Sequence, residues 1–192
     1  MSTSSVEAVV IGASAGALEA LSAFLPTLPK DYALPVMIVV HLPPDKNSVM
    51  ADLLKSKCKI DVREAEDKEP IRAATVYLAP PDYHLLVEPD KRLSLSSDDP
   101  VHFSRPSIDV LFESAADAYG PGLVGLVLTG GSSDGANGLR AVHQAGGQAL
   151  VQDPATANVP LMPQSALEAC PSARVMSLPE ITTFLNHLVQ PA

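Results

Sequence analysis

The sequence has no tryptophan, and aromatic residues make up only 4% of it. A stacking platform for bases or sugars is therefore not expected. Cysteine is almost absent: Cys58 and Cys170 form no C-x-x-C pair and read as reduced packing residues of a cytoplasmic protein. Basic residues are in the minority, 13 Lys and Arg against 22 Asp and Glu, a net charge of −9. That balance argues against nonspecific nucleic-acid binding. No apolar run reaches membrane-spanning length, so no membrane insertion is expected. The opening Met-Ser-Thr-Ser-Ser has neither the basic residue nor the apolar core of a signal peptide. There is no G-K-[ST] for a P-loop, and the dinucleotide pattern G-x-G-x-x-G is broken by a serine. No His and carboxylate spacing suits a metal, so neither metal nor cofactor is expected.

What is present is globular: 46% hydrophobic and 18% charged over 192 residues, enough for one domain with a sizeable core. The informative stretch is Val-Val-Ile-Gly-Ala-Ser-Ala-Gly-Ala-Leu-Glu-Ala-Leu at 9–21. An apolar strand runs through a glycine turn into a helix with Leu18, Leu21 and Leu25 on one face. Gly12 and Gly16 bracket Ser14 as G-x-S-x-G, a pattern that lifts a serine hydroxyl out of a sharp strand-to-helix turn. Ser14 also suits a helix N-cap, and this stretch alone does not decide between cap and nucleophile.

The rest of the chain alternates. Strands are predicted at 6–11, 35–40, 59–63, 122–128, 148–152 and 174–177. Helices are predicted at 16–27, 45–57 (with Val49, Leu53 and Leu54 inward), 107–119, from 138 to about 145, 163–169 and 178–188. A charged loop at 64–69 precedes three short runs, 74–79, 83–88 and 92–96, which read as antiparallel hairpins inserted into the pattern. The expected fold is α/β: a doubly wound, mainly parallel sheet with helices on both faces and an antiparallel hairpin insertion.

Three apolar strands end in reactive residues: Ser14, His41, and the turn after Leu128 that leads to Asp134. Ligands of parallel α/β sheets bind beyond the strands' carboxyl ends. If these strands are neighbours, a hydroxyl, an imidazole and a carboxylate meet at one rim. Those types suit nucleophilic catalysis: imidazole takes the serine proton, and the carboxylate fixes the imidazole tautomer. The N–H of Ala15 and an N–H of the Gly130-Gly131 turn are candidate oxyanion donors. Taken singly, His41 suits a boundary position and Asp134 a helix cap. His84 and His102 lie within possible reach of the site, whereas His143 and His187 are expected to face solvent.

The motifs around these residues, I-G-A-S-A-G at 11–16, V-H-L-P-P at 40–44 and L-T-G-G-S-S-D-G-A-N-G-L at 128–139, resemble the catalytic domain of the chemotaxis receptor methylesterase family, CheB. Segments E-A-E-D at 64–67, Y-L-A-P-P-D-Y-H at 77–84, R-P-S-I-D-V-L-F at 105–112 and Met162-Pro163 agree. The likeness runs from about residue 6 to 188. It implies a cytoplasmic protein-glutamate methylesterase acting on methylated chemoreceptor helices, with possible glutamine deamidation. By motif position Ser14 is the nucleophile, His41 the base, Asp134 the orienting acid, and Gly131 the oxyanion-side backbone. The sequence departs from better-known members at Gly131, where they have Met, and at Ala17, where they often have a second glycine. A backbone donor survives the first change, so the chemistry is expected to persist. The family's receiver domain has no counterpart in residues 1–192, and phosphorylation control is not expected. Arg105 has two readings, a contact to an acidic substrate or an anchor binding Asp109 or a carbonyl. Two further readings remain open: a non-catalytic scaffold retaining the fold, and an esterase or amidase for small molecules.

Overall fold

A computed structural model describes residues 5–41 and 49–188. Among these, seven strands form one all-parallel sheet in the order β3 (Asp61–Glu64), β4 (Thr75–Leu78), β2 (Val36–Val40), β1 (Ala8–Ala13), β7 (Leu123–Val127), β8 (Gln148–Gln152) and β9 (Arg174–Met176). The central strands β1 (Ala8–Ala13), β2 (Val36–Val40) and β7 (Leu123–Val127) are buried at every position. Unbroken apolar runs of this kind suit strands covered on both faces, where no side chain meets water.

The two faces are distinct cores. Val9, Ile11 and Ala13 point to one, beneath α1 (Ala17–Phe24), α2 (Val49–Lys57) and α6 (Leu178–His187). Ala8 and Val10 point to the other, beneath α3 (Ile108–Tyr119), α4 (Ala136–Gln144) and α5 (Leu161–Ala169). Side chains of a strand alternate between faces, so each central strand feeds both layers. α1 continues into a 3-10 turn at Leu25–Thr27. α6 begins with a capping box in which Ser177 and Glu180 satisfy each other's backbone N–H groups.

Two expectations need correction. Residues 74–79 are not part of a hairpin: β4 (Thr75–Leu78) is a fully buried parallel strand between β3 (Asp61–Glu64) and β2. Parallel neighbours usually need a helical crossover, and no helix lies between β3 and β4 to announce one. The antiparallel insertion is therefore one hairpin, β5 (His84–Val87) with β6 (Leu93–Ser96), lying on α3. In α2, Leu54 is buried but Val49 and Leu53 are 61% and 41% exposed. The predicted start of that helix, 45–48, lies outside the described residues. The remaining strands, β8 (Gln148–Gln152) and β9 (Arg174–Met176), stand where expected.

The chain leaves β1 in one direction to build β2, β3 and β4, and later adds β7, β8 and β9 on the other side. The β1–β7 boundary is thus the sheet's switch point, where a crevice opens at the carboxyl ends.

Candidate active site

Backbone hydrogen bonds extend past the strand ends and gather the three segments. His41 N–H donates to Ala13 C=O (3.2 Å), Ser14 N–H to Thr129 C=O (2.9 Å), and Leu128 N–H to Gly12 C=O (2.9 Å). Ser14 follows β1, His41 follows β2, and the turn holding Asp134 follows β7, three adjacent strands. Gly12 and Gly130 allow the close packing. A Cβ on Gly12 would lie 2.4 Å from Ile108 Cγ2, and one on Gly130 would lie 2.7 Å from Met162 Sδ and 2.9 Å from Ser14 Cβ. Gly16 has φ +84° where the serine turn enters α1, a conformation that glycine adopts without strain.

His41 Nε2 lies 2.7 Å from Asp134 Oδ2, with the imidazole 13% exposed and the carboxylate fully buried. Ser14 and His41 line one cleft of about 800 Å³, walled by α1 and by Met50 and Lys57 of α2. Among the described residues, Ser14 Oγ forms no hydrogen bond to His41.

Asp134 is held from several sides. Oδ1 accepts from Ser107 Oγ (2.8 Å) and Asp109 N–H (3.0 Å), and Oδ2 accepts from Ile108 N–H (2.6 Å) as well as facing His41. It therefore caps α3 and not α4, the helix that follows it in sequence. Asp109 returns the arrangement: its Oδ1 accepts the N–H groups of Gly135 (2.9 Å) and Gly138 (2.6 Å) at the start of α4. Asp109 of α3 thus satisfies free N–H groups at the start of α4, and Asp134, in the turn before α4, satisfies those at the start of α3, so each carboxylate sits at a positive helix end.

The two acids titrate in opposite directions. Burial alone would push Asp134 up, but the His41 hydrogen bond and the Asp109 and Ile108 N–H donors hold it below the ordinary carboxylate value. Burial pushes Asp109 up against its Gly138 and Gly135 donors, and the charge of Asp134 adds to the rise.

His102 Nε2 lies 3.1 Å from Asp109 Oδ2, so ligand atoms of His102, Asp109 and Asp134 fall within 4.8 Å of one another. Three of the four carboxylate oxygens already have two hydrogen-bonding partners, which leaves little lone-pair capacity for a cation. The cluster is a structural hydrogen-bond network.

The other candidates find definite places. Ala15 and Gly131 N–H groups donate to no group among the described residues, whereas Gly130 N–H is taken by Val159 C=O (3.0 Å). A Cβ on Gly131 would meet nothing nearer than 3.7 Å, so a side chain fits there. Arg105 binds Asp82 Oδ1 through Nε (3.0 Å) and Nη2 (2.7 Å), and the carbonyls of Ser97 and Asp98 through Nη1. It anchors its loop, to Asp82 and not Asp109, and does not line the cleft. His84 is buried, accepting from Ser107 N–H through Nδ1 (3.1 Å) and facing Asp99 C=O through Nε2. His143 and His187 are exposed. Both cysteines are free.

Three residues of the network escaped sequence reasoning. Ser107 immediately precedes α3, where a capping signal could have flagged it. Thr129 Oγ1 donates to Ala15 C=O (2.9 Å) and accepts from Val159 N–H (3.0 Å), tying the serine turn to a distant loop. Asp109 sits inside α3 with no local sign of its long-range cap.

Fold and site together define a doubly wound α/β domain with serine, histidine and aspartate gathered at the switch point of a parallel sheet. The family profile described as CheB methylesterase matches residues 9–185. A putative protein-glutamate methylesterase/protein-glutamine glutaminase of Leptospira interrogans is 48% identical over 96% of this chain and 95% of its own length. The protein-glutamate methylesterase/protein-glutamine glutaminase of Nocardioides sp. is 44% identical over 90% of this chain, which spans 48% of that relative. The Thermotoga maritima CheB methylesterase catalytic domain superposes with a TM-score of 0.91 at 34% identity, covering 96% of this chain and all of that one. The chain belongs to the CheB methylesterase family and has the fold of its catalytic domain. Among the described residues, no helix is long and apolar enough to cross a membrane.

Proposed function

We propose that this protein is a cytoplasmic serine hydrolase that cleaves glutamate γ-methyl esters on chemoreceptor-type signalling proteins, with Ser14 as nucleophile, His41 as base and Asp134 as orienting acid. The observation that carries the reading is the 2.7 Å His41–Asp134 contact beside the cleft that His41 shares with Ser14. Because Nε2 is committed to Asp134, Nδ1 is the nitrogen left to take the serine proton. The usual triad arrangement has these two nitrogens exchanged. The carboxylate stays ionised in the neutral range because its pKa is depressed. It can then stabilise the imidazolium that forms when the proton arrives.

Ser14 Oγ attacks the ester carbonyl carbon as its proton passes to His41 Nδ1. The oxyanion takes hydrogen bonds from Ala15 N–H and Gly131 N–H, both free of other acceptors among the described residues. Collapse breaks the acyl–oxygen bond, and His41 returns the proton to the leaving methoxide, releasing methanol. Water, deprotonated by His41, attacks the acyl-enzyme and frees the glutamate carboxylate and the serine hydroxyl. A glutamine side chain presents the same kind of carbonyl, and its amide nitrogen would take the proton from His41 and leave as ammonia, which supports deamidation at the same site. The Met-to-Gly departure at 131 keeps the backbone donor that this step needs.

Methanol release from methylated receptor membranes tests the reading. The native chain is expected to release methanol, and Ser14→Ala to lose it by more than about a thousandfold. Full activity in Ser14→Ala would remove the nucleophile assignment. Turnover of small esters with none on receptor protein would favour a small-molecule esterase.

A further inference from the structure

The cleft beside Ser14 and His41 is walled mostly by small and apolar side chains, with two charged residues, Glu19 and Lys57. Glu19 is occupied, its carboxylate accepting from Asn158 Nδ2 at 3.0 Å. Lys57, the last residue of α2, is exposed, and its ammonium reaches only Ser22 Oγ, at 3.4 Å, among the described residues. Lys55 and Lys59, two residues to either side, are also exposed but do not line the cleft, and Lys55 borders a separate recess with Asp52, Glu64 and Glu66. Arg63, Lys68, Lys91, Arg92 and Arg105 each face an acid; Lys30, Arg72, Arg140 and Arg174 face none among the described residues, but none of these nine lines the cleft. Among the described residues of a chain of net charge −9, Lys57 is the one Lys or Arg that lines the cleft, and it pairs with no carboxylate. The helix macrodipole favours lysines in the last turn of α2. It does not account for Lys59, which lies beyond the helix, or for the placement of Lys57 on the cleft.

We infer that Lys57 is a specificity-determining contact, which receives a carboxylate of the substrate protein flanking the glutamyl ester that enters beside Ser14. This rests on the hydrolase reading above. The ester side chain is neutral and offers a cation nothing. A segment rich in glutamyl esters carries further glutamates, and every hydrolysis creates another carboxylate. The apolar part of the cleft accepts the neutral ester, while Lys57 selects segments already bearing negative charge nearby. It also offsets the repulsion that an acidic segment meets from the enzyme's overall charge. Hydrolysis at one position then improves binding of a neighbouring ester.

The test uses two fluorescein-labelled helical peptides, each with one glutamate γ-methyl ester. One has Glu and the other Gln at the positions three and four residues to either side. Binding to the full chain is read by anisotropy, and methanol release is read separately. The Glu-flanked peptide should bind about threefold more tightly, the size of a partly exposed charge pair. The preference should fade in high salt. Lys57→Gln should abolish it, Lys57→Glu should reverse it, and Lys57→Arg should keep it. Lys30→Gln, which removes an exposed lysine that does not line the cleft, should leave it intact. An absent preference, or one that persists in Lys57→Gln, overturns the inference whether or not methanol is released. A Lys57-dependent preference without methanol release would uphold the docking contact and count against the hydrolase reading.

Discussion

At the scale of single residues, the site depends on a carboxylate that is buried and yet ionised. Burial would push the Asp134 pKa up, but His41 and the Asp109 and Ile108 N–H groups hold it down. A depressed folded-state pKa stabilises the fold above the unfolded value, about 4, and that stability is lost as pH falls through the folded value. Asp134→Asn is therefore expected to cost about 2 kcal/mol at pH 7. The cost should shrink steadily in acid, as measured by denaturant titrations between pH 7 and pH 2; a cost independent of pH would contradict this assignment. Asp109 carries the opposite sign. Its raised pKa means that ionisation costs stability as pH rises through the carboxylate range. Asp134 could be read from the sequence as a residue after a strand, and its link to His41 as a hypothesis. Its cap on α3 could not, because Ile108 and Asp109 are remote in sequence and nothing local marks them as its donors. Arg105 shows the reverse: its type suited an anion, but two flanking carbonyls and Asp82 consume its donors.

At the scale of elements, the turns after β1 and β7 decide whether Ser14 is placed. Gly130 and Gly131 look equivalent in sequence and are not so in space. Gly130→Ala forces a Cβ into Met162 and Ser14. It is expected to cost about 1–3 kcal/mol of stability and to lower kcat. Gly131→Ala has room and should change stability by less than about 0.5 kcal/mol. Thermal melts and methanol assays of the pair check this, and equal behaviour of the two variants would contradict the packing account. The elements read well where periodicity was long and apolar, as in β1, β2, β7 and α3. At β4 the run was legible but its pairing was not: it reads as part of a hairpin because it is short and its connection from β3 contains no helix, yet it pairs parallel. They failed partly at α2, where Val49 and Leu53 have apolar character but face outward. In isolation, apolar type does not say which face of a helix is covered.

At the scale of the whole molecule, one sheet separates two cores, with Leu21 fully buried in the first and Phe112 in the second. Leu21→Ala and Phe112→Ala are each expected to cost about 3–4 kcal/mol. Their effects should add to within about 0.5 kcal/mol, since the sheet stands between them. A single cooperative transition in the double variant is the expected outcome, and two separate transitions would show that the layers unfold independently. The doubly wound architecture was legible from strand and helix alternation, and with it the meeting of three strand ends. The electrostatic layout was not, because pairing of charges depends on contacts between distant segments. The central claim is that residues from three such segments act as one reactive unit, and the rate at which a serine-directed phosphonate modifies the protein tests it most directly. The account predicts stoichiometric modification of Ser14 by peptide mapping, slowed by at least about a hundredfold in His41→Ala. Modification at another residue, or an unchanged rate at Ser14 without His41, would contradict it.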